Sequence, residues 1–240
     1  GRPEEALRVL QQEAVKNVKD THLVKDMEGA VYMEMKRYDD AAGIYEWLMD
    51  ADPQNTRYRI ALTQAFNGAG KYAESEKLLL EILSKEPENT RYLMQLGIVY
   101  DFMKDIDKAE GALLKVIRKE PQNALALNNL AYMYIDNNRN LSKALEMVRR
   151  ALKIDPENGA YLDTMAWGCY RKGDYKDARK YIESAIANSG DQDKGVIYDH
   201  YGDILVGLGM KDQARDAYRK AIEFGESADT IQKKIDSLNR

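Results

Sequence analysis

Cysteine and histidine are scarce in this chain. Its 240 residues include one cysteine, Cys169, and two histidines, His22 and His200. A single cysteine cannot form an internal disulfide framework or a cysteine-based zinc cluster. His200 lies near Asp199 and Asp203, so half of a metal site or an acid–base pair is one alternative. We interpret it instead as a solvated or core-edge histidine.

Several motifs and sequence runs are also missing. No apolar run approaches the roughly 20 residues that span a bilayer, and no Lys/Arg block could follow a phosphate backbone. The net charge is −4. The sequence contains no HExxH, GxSxG, P-loop or dinucleotide motif. We therefore expect no enzyme activity, no catalytic or metal-binding residue and no cofactor, and we expect neither nucleic acid binding nor direct membrane insertion.

Proline is sparse, with five residues, and its positions are regular. Four of the five are Pro53, Pro87, Pro121 and Pro156, so successive prolines are 34, 34 and 35 residues apart. Each lies in a near-copy of one phrase: DPQNT, EPENT, EPQNA and DPENG. A fixed period of this size indicates a repeat protein. Alignment on the prolines predicts a single array of six units at residues 22–55, 56–89, 90–123, 124–158, 159–192 and 195–228.

Each unit carries two amphipathic helical patterns and no strand-like alternation. Apolar residues recur at i, i+3, i+4 and i+7, as on one face of a helix. Small residues at the eighth and twentieth positions would let the paired helices approach closely. The eighth positions hold Gly29, Thr63, Gly97, Ala131, Ala166 and Gly202. The fold is therefore predicted to be all-α.

Polar residues at the predicted helix starts support these boundaries. Asparagine precedes the first helix of four units, where its side chain can accept a hydrogen bond from a backbone N–H. These residues are Asn55, Asn89, Asn123 and Asn158. Similar capping is predicted for the second helices from Asp39, Asp107, Ser142 and Asp174.

The pattern resembles the tetratricopeptide repeat (TPR), a 34-residue helix–turn–helix unit. The resemblance covers residues 22–228 and implies a right-handed α-solenoid superhelix of about six helix-turn-helix units. Residues 2–20 would form an N-terminal half-unit helix, and residues 229–240 a C-terminal capping helix. The first unit departs from the family pattern, because Lys25 and Glu28 replace bulky apolar residues. Its first helix is either rotated or packed against further material.

A narrower resemblance is to the C-terminal repeat region of large bacterial TPR proteins. It rests on the runs ALNNLAYMYID, AYLDTMAWGCYRKGDYKDARKYIESAI and DHYGDILVGLGMKDQARDAYRKAI. Several such proteins are exported or anchored at the cell envelope. The chain begins with Gly1 and not with methionine. We therefore expect a fragment of a longer bacterial protein, periplasmic, envelope-associated or cytoplasmic.

In this family the first helices line a concave groove, to which five positions of each unit contribute. Arginines come early in this set, aspartates late and aromatic residues in the middle, an arrangement typical of binding hot spots. The alternative for Trp167 is packing against the neighbouring unit. The expected partner-binding residues are Arg57, Asn67, Arg91, Met94, Asp101, Phe102, Asn128, Tyr132, Asp136, Asp163, Trp167, Tyr170, Arg171, Asp199 and Asp203.

The leading hypothesis is a non-enzymatic scaffold that binds a peptide or partner protein in this groove. The Lys–Asn clamp with which one family subtype binds acidic tails is absent. An extended or helical partner with apolar anchors and some basic residues fits better, its positive end over the aspartates. The alternative is a self-assembling scaffold, a homo-oligomer formed through exposed terminal repeats. RNA reading by helical repeats is disfavoured because the groove is acidic.

Overall fold

The computed structural model describes residues 2–16 and 21–238, with side chains described for residues 2–10 and 21–238. This part of the chain contains fourteen α-helices and no strand, so the all-α prediction is confirmed. Residues 17–20 of the predicted half-unit, and 239 and 240 of the predicted capping helix, lie outside the described residues. The helices are α1 (Arg2–Lys16), α2 (Thr21–Glu34), α3 (Tyr38–Ala51), α4 (Thr56–Gly68), α5 (Tyr72–Lys85), α6 (Thr90–Phe102), α7 (Ile106–Lys119), α8 (Ala124–Asp136), α9 (Leu141–Ile154), α10 (Gly159–Arg171), α11 (Tyr175–Asn188), α12 (Lys194–Gly207), α13 (Lys211–Glu223) and α14 (Ala228–Ser237).

The predicted asparagine caps are confirmed at α4, α6, α8 and α10. The side-chain oxygens of Asn55 and Asn89 accept from the backbone N–H two residues later, each at 3.1 Å. Those of Asn123 and Asn158 accept from the N–H three residues later, at 2.9 and 3.3 Å. Each bond satisfies one of the backbone donors that a helix start leaves unpaired.

The predicted caps of the second helices are mostly wrong. Asp174 does cap α11 by accepting from the N–H of Asp177. Asp39 and Asp107 lie instead within the first turns of α3 and α7. There an acidic side chain favours the positive end of the helix dipole without capping it. Ser142 likewise follows the residue that begins α9.

The structure forms two compact units, Gly1–Lys115 and Val116–Arg240, with the boundary inside α7. The predicted division into six repeats stays a prediction. In the first unit, one buried apolar cluster contains Leu7 of α1, Tyr32 of α2, Leu48 of α3 and Leu62 of α4. Each buried side chain of this size contributes about 1.5–3 kcal/mol.

Helix α2 buries acidic side chains without being rotated. Gly29 and Tyr32 keep their places toward the core, and Gly29 lies directly against the ring of Tyr45. Glu28 is buried, and its carboxylate accepts from Lys25 Nζ at 2.7 Å. The rotated-helix alternative is therefore wrong, since the amphipathic register is retained and an ion pair replaces the apolar contact.

The second unit has apolar clusters among α10 to α14, and α8 and α9 add further fully buried side chains such as Tyr134 and Val148. Ile182 of α11 and Ile204 of α12 are fully buried in one cluster, and Ile231 of α14 joins another. At Gly202 of α12, a Cβ atom would come within 2.2 Å of the Tyr218 ring. The missing side chain is what lets α12 and α13 pack this closely. Among the described helices, none has the length and hydropathy needed to cross a membrane.

Candidate partner-binding surface

The second unit brings together most of the predicted partner-binding residues on three first helices. Helix α8 contacts α10, and α10 contacts α12. We call this set, together with the side chains that contact it, the inner surface. Its predicted members are Asn128, Tyr132 and Asp136 on α8, Asp163, Trp167, Tyr170 and Arg171 on α10, and Asp199 and Asp203 on α12.

Aromatic rings stack at the middle of the inner surface. The ring of Trp167 stacks on Tyr170 with centroids 4.8 Å apart and on His200 with centroids 4.4 Å apart. Tyr175 packs at a tilt against Tyr170. We call these four residues the aromatic cluster. Trp167 thus does pack against the neighbouring helix, yet both it and Tyr170 remain partly exposed.

His200 is buried, so of the two expected settings the solvated one is wrong. Its Nδ1 lies 2.8 Å from Oδ1 of Asp163, which is also buried. Burial by itself lowers the pKa of the imidazole, whereas the attraction of Asp163, Asp199 and Asp203 raises it. The attraction prevails, and the pKa of His200 lies above its usual value.

The late aspartates of the inner surface are already paired within the chain. Lys234 of α14 donates to Asp199 Oδ1 at 2.7 Å and to Asp203 Oδ2 at 2.9 Å. The Tyr218 hydroxyl donates to the other oxygen of Asp203 at 2.6 Å. Burial lowers the pKa of Lys234, but its hydrogen bonds to the two carboxylates outweigh this and raise it. We call Asp199, Asp203, Tyr218 and Lys234 the ammonium seat.

Tyr170 connects the aromatic cluster to the ammonium seat. Burial raises the pKa of the Tyr170 phenol, and the negative charge of Asp203 raises it further. On the other side of the cluster, the Arg171 guanidinium carbon lies 5.9 Å from the centre of the Trp167 ring. Arg171 also donates to the main-chain carbonyl of Asp136 at 3.2 Å. The exposed rings are therefore flanked by two cations, Arg171 and Lys234.

Several predicted site residues present little surface to a partner. Met94, Asn128 and Asp163 are 7%, 6% and 8% exposed. Two buried polar atoms of the inner surface, Asn128 Oδ1 and Trp167 Nε1, have no hydrogen-bond partner within the described residues. Such atoms are rare in folded proteins because each costs about 1–3 kcal/mol.

The first unit holds the remaining predicted residues in a different setting. Arg57 pairs with the buried Asp26 at 2.7 Å. Phe102 is about half exposed and stacks on Tyr72 with centroids 5.3 Å apart. Arg91 is exposed, whereas Asn67 and Asp101 are partly buried.

Sequence reasoning missed His200, Tyr218 and Lys234 as members of the inner surface. His200 was compared with its neighbours Asp199 and Asp203, yet its direct partner lies 37 residues upstream. Lys234 reaches back 35 and 31 residues to its carboxylates. Neighbouring first helices lie about one repeat apart in sequence, so a search for opposite charges at that spacing could have found these pairs.

The described residues contain no group of three or more His, Cys, Asp or Glu side chains arranged to hold a metal ion. Cys169 packs against the core of the second unit, as expected for a small hydrophobic residue. Burial raises the pKa of its thiol to about 11.

Comparison with protein families gives one consistent result. Models described as "Tetratricopeptide repeat" match residues 32–97, 94–159 and 196–224. The chain is also similar to the TPR repeat-containing protein PA4667 of Pseudomonas aeruginosa, with 35% identity over 68 residues. That match covers 28% of this chain and 12% of the relative, so the likeness spans a small part of that protein's length.

Solved structures with the same fold cover nearly the whole chain. A tetratricopeptide repeat protein from Parabacteroides merdae aligns with a TM-score of 0.79 at 15% identity, over 99% of this chain and 93% of that one. PilW, a type IV pilus biogenesis factor, aligns with a TM-score of 0.69 at 14% identity, over 93% and 100%. Pseudomonas aeruginosa pilF aligns with a TM-score of 0.63 at 16% identity, over 97% and 98%. At these identities the likeness concerns the fold alone.

Proposed function

Because the chain belongs to the tetratricopeptide repeat family, we propose that it is a non-enzymatic scaffold that holds a peptide or partner protein on the inner surface of its second unit. Repeats of this family generally serve as protein interaction modules. The apolar anchor of the partner sits on Trp167 and Tyr170. Arg171 flanks this anchor point, with its guanidinium carbon 5.9 Å from the centre of the Trp167 ring.

The observation that carries the proposal is the state of Trp167. Its ring is partly exposed and stacked on two others, while its indole N–H is buried without a partner in the described chain. Rigid, partly exposed aromatic rings dominate binding energies at interfaces.

The partner's charge matters less than the sequence pattern predicts. A basic residue placed over Asp199 and Asp203 has to compete with Lys234, which already makes two charge-assisted hydrogen bonds there. Asp163 is likewise occupied by His200. We therefore place the main binding energy on the apolar anchor, with charge setting orientation.

The test is affinity capture from an extract of the native organism with four full-chain baits, read by mass spectrometry. Trp167→Ala should reduce retention of the captured protein at least 30-fold, as for an interface hot spot. Trp167→Phe keeps a ring but loses the N–H, and should lie between wild type and Trp167→Ala. Trp47→Ala removes an exposed tryptophan of the first unit and serves as the control. Equal capture by wild type and a folded Trp167→Ala bait would contradict the proposal.

A second candidate function, self-assembly, has its own observation in the first unit. Val9, Leu23 and Met27 are about half exposed. Helices α1 and α2 line an open cleft of about 600 Å³, formed mainly by apolar side chains that include Val9 and Met27. Exposed apolar surface of this kind marks contact sites.

Light scattering across a concentration series tests self-assembly. Dimerisation that is lost in the double variant Leu23→Lys/Met27→Lys would support assembly through this face. Leu80→Lys, at an exposed position of α5, is the control and should leave the dimer intact. A monomer throughout the series would exclude it for this chain.

A further inference from the structure

His200 has a position that the proposed function does not yet use. Its imidazole lies parallel to the Trp167 ring within 14°, and its Nδ1 contacts Asp163. Asp163 and Trp167 both come from α10, whereas His200 comes from α12. The imidazole therefore contacts the anchor ring and a buried carboxylate at the same time.

The charges around His200 are mostly negative. Asp163 is its direct partner, and its pKa also responds to Asp199 and Asp203 on its own helix. Asp199 and Asp203 are themselves hydrogen-bonded by Lys234 of α14, and Asp203 also by the Tyr218 hydroxyl of α13. Since Lys234 is shared by two carboxylates, a positive charge on His200 is favoured by this surrounding.

We propose that His200 is a proton-dependent positioning residue of the inner surface: the imidazolium, paired with Asp163, holds the Trp167 ring in its binding position, and loss of the proton loosens that ring. This rests on the proposed function, because it concerns the ring that we assign to the partner. A cation against the face of an indole is attracted to it. The neutral imidazole keeps a hydrogen bond to Asp163 but loses the ion pair and the cation–π attraction.

The direction of the pH dependence follows from the raised pKa of His200. The stabilisation is fully present below the pKa of an unfolded histidine, about 6.5. It is lost as the pH rises through the higher pKa of the folded state. The anchor ring is therefore best held below a pH of about 6.5 and loosens as the pH rises through the raised pKa of His200.

The chain supplies its own spectroscopic reporter, because it has two tryptophans and two histidines. In a Trp47→Phe variant of the full chain, indole emission comes from Trp167 alone. Titration from pH 5 to 9.5 should show one transition with a midpoint above about 6.5. Emission should rise with pH, because a protonated imidazole is the stronger quencher of indole.

Two variants in this background assign the transition. His200→Gln should abolish it. Asp163→Asn should lower the midpoint by about 1–3 pH units, the shift expected for losing an opposite charge at contact distance. The reversed reporter, Trp167→Phe, follows the exposed His22–Trp47 pair, whose rings lie 5.3 Å apart, and serves as the control.

The outcomes separate this inference from the proposed function. No Trp167 transition, or a transition that survives in folded His200→Gln, overturns the proton-dependent role. If His200→Gln does not fold, the Asp163→Asn shift and the NMR titration of His200 decide the same point. If wild-type and Trp167→Ala baits capture the partner equally, the proposed partner site alone is refuted, because the fluorescence titration needs no partner.

Discussion

Replacing Lys234 by methionine isolates the electrostatics of the ammonium seat. Methionine keeps most of the apolar stem and removes the charge, so packing against α13 changes little. The variant leaves Asp199 and Asp203, one helical turn apart on α12, without their shared cation. Their mutual repulsion and the loss of two hydrogen bonds should both destabilise the second unit.

The magnitude follows from the exposure of the three groups. Breaking a fully buried pair costs about 3–5 kcal/mol, and exposed pairs contribute about 0–1 kcal/mol. The side chains of Lys234, Asp199 and Asp203 are 31%, 22% and 19% exposed. An intermediate loss of about 2 kcal/mol at pH 7 is therefore expected.

Urea denaturation followed by circular dichroism measures this loss. Lys180→Met is the matched control, since Lys180 is 76% exposed and pairs with Asp177 within one helix. Its unfolding midpoint should stay close to that of wild type. Asp203→Asn should restore part of the stability lost in Lys234→Met at pH 7, because it removes one of the two unpaired charges. Equal effects of the two lysine variants, or no recovery from Asp203→Asn, would refute this reasoning.

Two further predictions concern packing and thiol reactivity. Gly202→Ala should destabilise the second unit by about 1–3 kcal/mol, because the new methyl group meets the Tyr218 ring. Gly43→Ala, at an exposed mid-helix position where a Cβ would meet nothing within 4 Å, should instead stabilise the protein by about 0.5–1 kcal/mol. Thermal or urea unfolding measures both variants. Changes in the free energy of unfolding with the same sign would contradict the packing argument. Cys169, whose thiol pKa is raised to about 11 from 9.0, should hold roughly 100-fold less thiolate at pH 8 than an unperturbed thiol. Its reaction with a disulfide reagent should be correspondingly slow in the native chain and fast in urea, and fast native labelling would contradict the burial argument.

Local chemistry was the part of this protein that the sequence could predict. The asparagine caps need only a side-chain oxygen and an N–H two or three residues away, so Asn55 and Asn158 were recognisable without tertiary contacts. The retained register of Gly29 and Tyr32 follows the same helical period. Asp39 and Ser142 could precede a helix or lie in its first turn, and the side-chain pattern alone wrongly placed them before it.

The composition of the inner surface depended on contacts between helices. The pattern placed Asp163, Asp199 and Asp203 on one side but could not show that His200 and Lys234 neutralise them from neighbouring first helices, 31 to 37 residues away. Those pairs depend on the axial offset of adjacent helices, which repeat spacing constrains only to within a helical turn. The sequence by itself therefore determined the repeat, the helices and the family. Only the tertiary structure decided which charges are already paired, because pairing at a distance is set by packing and not by local order.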